Sequence, residues 1–118
     1  MTALHATLAN TLVLYLALVG LWGLWLGLRA LGPTPGYRGA LVIAELATIA
    51  QGVVGLVLAL SRPLNGFHAL YGVALVLALP LAATLVRDRA PRGQSIALGL
   101  AALFTAGLAI RGITTAGG

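Results

Sequence analysis

Four long apolar runs, parted by three short polar breaks, leave this chain few ways to fold. They cover Leu4–Leu31, Gly39–Leu60, Phe67–Val86 and Ser95–Ile113. Each is close to the roughly 20 residues that a helix needs to cross the hydrocarbon of a bilayer. The breaks carry turn chemistry: Gly32-Pro33-Thr34-Pro35-Gly36, Ser61-Arg62-Pro63-Leu64-Asn65-Gly66 and Arg87-Asp88-Arg89-Ala90-Pro91-Arg92-Gly93. Asn65 is placed to cap the helix that follows it. Connections this short make consecutive helices antiparallel neighbours. No segment alternates apolar with polar residues, so strands are not expected. The expectation is an all-α, integral membrane four-helix bundle, built as two antiparallel hairpins in a single domain over residues 1–118.

The charge content excludes a water-soluble globule. Charged residues are 8% of the chain and hydrophobic residues 60%, whereas about a quarter of a soluble domain is charged. There is no cysteine, so disulfides, thiolate metal sites, iron–sulfur clusters and covalently attached haem are out of reach. All basic residues are arginine, which points to a GC-rich prokaryotic genome. The net charge of +5 does not predict nucleic-acid binding, because no basic–aromatic alternation offers a stacking platform. The arginines flank apolar runs instead. Arg29, Arg38, Arg87, Arg89 and Arg92 fall at loops 1–2 and 3–4, against Arg62 in loop 2–3 and Arg111 late in the fourth run. Loops rich in arginine stay in the cytoplasm. That places loops 1–2 and 3–4 inside and both termini outside a plasma (inner) membrane. The first run has no basic residue before it, so it reads as a retained helix and not as a signal peptide.

The two histidines stand in similar settings. Laying residues 5–18 over 68–81 matches His5-Ala6 with His68-Ala69 and Leu12-Val13-Leu14 with Leu75-Val76-Leu77. This weak repeat puts both rings near the start of a helix, at one depth and one membrane side. His5 shares a helical face with Leu12, Leu16 and Gly23, and His68 with Tyr71, Gly72, Leu75 and Leu79, faces suited to look inward. Two imidazoles from different helices can clamp the iron of b-type haem. Arg62 and Arg111 approach the same end and suit its propionates. The bland alternative is a pair of interfacial histidines, since an amphipathic ring is comfortable there. No metal beyond haem iron is expected, because no carboxylate joins the two rings.

Glu45 is the sharpest single residue. It lies seven positions after Arg38, roughly 10 Å along a helix at 1.5 Å per residue. An intramembrane carboxyl is costly and marks a functional hypothesis by default. Glu45, Thr48, Gly52, Gly55, Ala59 and Arg62 form one small and polar stripe bordered by Gln51. Val42, Leu46, Ile49, Val53 and Leu56 cover the opposite, lipid-facing side. Glu45, Thr48 and Gln51 are therefore a candidate proton or ligand site, with a structural hydrogen bond as the plainer role. Trp22, Trp25 and Tyr37 suit an aromatic belt at the inner interface. Gly23 and Gly27 form a GxxxG spacing that serves close packing inside the bundle or in a homodimer. Pro80 should kink the third helix.

No paired-carboxylate site or nucleotide-binding sequence is present, so an enzyme is not expected. In size and four-helix layout the chain is similar to the small multidrug transporters, which carry a membrane glutamate on the first helix. Here Leu4–Leu31 has no acid and Glu45 is on the second. The layout also resembles four-helix b-type cytochromes, which usually hold more than the one histidine pair this chain offers. The reading is a small polytopic membrane protein. Its leading role is a non-catalytic accessory or structural subunit, surrounded by lipid and able to join a homodimer or larger complex. Its best specific activity is haem binding through His5 and His68. The alternative is a proton-coupled transporter or channel using Glu45.

Overall fold

In the computed structural model, which describes residues 2–60 and 66–116, the chain forms α1 (Thr2–Leu28), α2 (Pro35–Ala59), α3 (Gly66–Leu85) and α4 (Pro91–Ala116). All four are long and apolar enough to cross a membrane. The molecule is 48 Å long and about 20 Å across, against roughly 40–45 Å for a bilayer with its headgroups. Leu14, Leu18, Val42, Leu46, Leu56, Leu77, Leu81 and Phe104 are among the large apolar side chains left exposed on its sides. Such a surface suits contact with lipid. Asn65 and Arg62 lie outside the described residues.

The helices make a ring in chain order. Each touches its two neighbours, and α4 closes against α1; the diagonal pairs α1–α3 and α2–α4 make no backbone approach among the described residues. Cross-helix bonds fix the antiparallel sense. Tyr15 Oη donates to the Ala40 carbonyl at 2.7 Å, and Tyr37 Oη donates to the Val19 carbonyl at 3.1 Å. At the other end of the same pair, Gln51 Nε2 donates to the His5 carbonyl at 3.0 Å. The α1–α4 seam is the tightest. A Cβ added to Gly23 would stand 2.7 Å from Gly99 Cα, and one added to Gly20 would stand 2.6 Å from Leu103 Cγ. A Cβ on Gly27 would strike the Ile96 side chain. The GxxxG face is thus used inside the bundle. Leu12, Leu16, Val19 and Leu26 of α1 meet Leu98, Ala102, Ala106 and Ala109 of α4 in the core, which Leu75 and Leu79 of α3 extend.

The helix ends depart from the apolar runs, each for a local reason. The run reaches Leu31 but α1 stops at Leu28. Leu31 N–H bonds the Leu26 carbonyl and Ala30 N–H the Gly27 carbonyl, with Ala30 left-handed at φ 57°. This is a Schellman ending, in which glycine is the usual occupant. Alanine in that conformation costs about 1 kcal/mol, so Ala30→Gly is expected to raise the unfolding free energy in detergent by about that amount. A lowered midpoint in a denaturant titration would refute the assignment of strain. α2 and α4 each begin four residues before their apolar runs, at Pro35 and Pro91. Proline at the first helical position is pre-set for the turn and gives up only an N–H that has no helical partner. Thr34 caps α2 by accepting the Tyr37 N–H at 3.1 Å. α3 continues through Pro80 to Leu85.

Candidate functional site

The antiparallel ring brings the starts of α1 and α3 and the ends of α2 and α4 to one end of the bundle, the histidine end. A cavity of about 630 Å³ opens there among all four helices, within the range of roughly 300–1,000 Å³ typical of small-molecule sites. Its wall is mostly aliphatic and small: Leu12, Gly52, Gly55, Leu75, Val76 and Ala109 contribute to it. Polar groups are few: His5, Asn10, Thr48, Gln51, His68 and Tyr71.

The histidines meet across this space. α1 and α3 are diagonal in the ring, yet the His5 and His68 rings lie 5.9 Å apart, centroid to centroid, at an interplanar angle of 85°. His68 Nδ1 stands 2.9 Å from the Gly112 carbonyl oxygen. A carbonyl can only accept, so Nδ1 carries the proton of that bond. A ring nitrogen bonded to a backbone carbonyl is the usual orienting partner of a metal-ligating histidine. Gly55 makes room for the other ring: a Cβ there would stand 3.3 Å from His5 Cε1.

The remaining candidates fall around this pair unevenly. The Arg111 guanidinium carbon lies 5.7 Å from the centroid of the Tyr71 ring, and Tyr71 lines the cavity, so Arg111 is at its edge. Arg62 lies outside the described residues. The inward stripe of α2 is centred on Ala44, Thr48 and Gln51, all buried. Glu45 sits on its flank, half-buried, and Gln51 lies within the stripe, the reverse of the order that helical spacing alone predicts. Thr48 Oγ1 donates to the Glu45 backbone carbonyl at 2.8 Å. Two buried acceptors, Glu45 Oε1 and Gln51 Oε1, have no hydrogen-bond partner among the described residues. Gln51 is only 8% exposed and lines the cavity; Glu45 does not. Val42, Leu46, Ile49, Val53 and Leu56 face outward as expected.

The two rings are donors of the kind that hold a haem iron. The described residues hold no cluster of three or more metal-ligating side chains, so a closed zinc-type site has no support there. At the opposite, arginine end, Trp22 packs edge-on against Tyr37 at 5.0 Å, and the Arg29 guanidinium carbon lies 5.4 Å from the centroid of the Trp25 ring. Comparison with protein families, curated proteins and solved structures finds no match for this chain.

Proposed function

We propose that this protein crosses the plasma membrane four times and binds b-type haem between His5 and His68. The histidine end and both termini lie outside, and loops 1–2 and 3–4 lie in the cytoplasm. The observation that carries the haem is the meeting of two imidazoles from diagonal helices on one apolar cavity. Bound haem supplies reversible one-electron transfer. The chain's own residues would hold and shield it. His68 is oriented by the Gly112 carbonyl, and Gln51 ties the first turns of α1 to α2 through the His5 carbonyl. Arg111 is placed for a carboxylate at the cavity edge, and the aliphatic wall excludes water. A purely structural subunit has no need of such a cavity; as part of a larger complex the chain would serve as its haem-bearing subunit.

The test is a reduced-minus-oxidised optical spectrum of protein purified in mild detergent from haem-replete cells. Sharp bands of six-coordinate, low-spin haem are expected. A featureless spectrum would remove the haem reading and leave the accessory role, to be pursued by pull-down of a membrane complex.

A second reading, proton-coupled transport or conduction through Glu45, is favoured by the buried Glu45 Oε1 that has no partner among the described residues. An ionisable side chain within a membrane span is a functional candidate by default, and a carboxyl is a group able to carry a proton. Under this reading Glu45→Gln abolishes proton-driven uptake into vesicles. Uptake that persists in the variant ends it.

A further inference from the structure

Gln94, in the first turn of α4, is the knot of the arginine end. Its Oε1 accepts from Arg38 Nη2 at 3.2 Å, while its Nε2 donates to the carbonyls of Arg87 at 3.2 Å and Arg89 at 2.9 Å. One amide thus ties the start of α2 to the α3–α4 loop. Two residues earlier, Arg92 Nε donates to the Gly27 carbonyl at 2.9 Å, which draws in the end of α1. Arg29 stacks over Trp25 beside it. The four helix ends therefore gather Arg29, Arg38, Arg87, Arg89 and Arg92 at one level. All five are exposed, and among the described residues none reaches a carboxylate. Five arginines less Asp88 leave four positive charges uncompensated there. The helix termini at this end are two N-terminal and two C-terminal, so their partial charges largely offset and the field is that of the guanidinium groups.

We propose that this end binds the phosphate headgroups of anionic phospholipid, with Gln94 organising the site. Guanidinium is suited to bidentate phosphate recognition. The depth selects lipid over a soluble acidic protein. Leu28 and Leu85, 77% and 71% exposed, border the cluster with apolar surface that acyl chains cover and a soluble partner would leave unmatched. The inference rests on the membrane-spanning part of the proposed function and is independent of the haem.

The experiment uses the full chain in nanodiscs of phosphatidylcholine alone or with 30 mol% phosphatidylglycerol, and reads thermal stability and retained lipid by native mass spectrometry. Phosphatidylglycerol is expected to be retained preferentially and to raise the unfolding temperature. Each guanidinium removed should weaken retention about fivefold, from roughly 1 kcal/mol per basic residue at the surface. Arg87→Gln and Arg89→Gln are the first variants, because their side chains make no hydrogen bond or ion pair among the described residues. Gln94→Ala should weaken retention with no change in charge, and Asp88→Asn should strengthen it. Equal behaviour of the two lipids in well-folded discs overturns the lipid site alone. Failure to enter either disc overturns the membrane reading beneath it. Binding of soluble polyglutamate without lipid preference would assign the cluster to an acidic protein instead.

Discussion

His5→Ala and His68→Ala are each expected to abolish the low-spin haem spectrum while the bundle stays folded. On the proposed reading both rings would hold the haem iron, so either loss would remove that spectrum. The fold should tolerate both changes. The two side chains are half-buried on a cavity wall, outside the core that Leu12, Leu16 and the α4 alanines form. His68→Ala gives up the bond to Gly112, worth about 1 kcal/mol; His5→Ala leaves the Gln51 bond in place, because that bond goes to the backbone. Size-exclusion profile and thermal midpoint should thus stay near those of the parent. Imidazole added to His68→Ala should restore six-coordination by filling the vacated position, which a merely structural histidine would not allow. Unchanged bands in either variant would show that the iron takes its ligand elsewhere.

Gly99→Ala should be among the most destabilising single-methyl additions in the chain. A Cβ at this position would stand 2.8 Å from the Gly20 carbonyl oxygen, 2.8 Å from Leu24 N and 3.1 Å from Gly23 C. All three are backbone atoms of α1, and none can swing aside as a side chain can. The two helices would have to part, loosening Leu16, Val19, Leu98 and Ala102, which are packed between them. Overpacking costs typically 1–3 kcal/mol, and a rigid backbone neighbour puts this site at the upper end. Gly107→Ala is the matched control. Nothing lies within 4 Å of a Cβ there, and alanine is the better helix former by up to about 1 kcal/mol. The prediction is a lower unfolding midpoint for Gly99→Ala and an equal or higher one for Gly107→Ala. If both behave alike, the α1–α4 approach is not what holds the bundle together.

Several site residues could be read from the chain, and their arrangement could not. His5 and His68 were identifiable because matched segments set both near the start of a helix. Parallel placement of α1 and α3 then puts them at one depth. Their contact needed the ring order, since the two helices are diagonal. Spacing on the helix sets Gln51 at the border of the α2 stripe, and the structure buries it against the cavity; small residues extend around this part of α2, so an offset of one residue carries no visible penalty in the sequence. Gln94 carried no signal beyond being a polar residue after Pro91; its role depends on Arg38 and on carbonyls of the preceding loop. The early starts of α2 and α4 were legible in principle, from Thr34-Pro35 and from Pro91, but proline read as a loop residue hides a proline that opens a helix.

What the sequence alone determined is the set of four helices, their membrane-length spans and the gathering of arginine at two loops. These follow from local quantities: the length of an apolar run and the chemistry of its breaks. The tertiary structure decided which faces meet. In a soluble bundle an apolar stripe marks the inward face, because water selects it. Here outward-facing and core-facing positions are both apolar, so that contrast is lost. What distinguishes the faces is close fit, as of Gly20 and Gly23 against Gly99, together with the few polar groups that find partners only across helices.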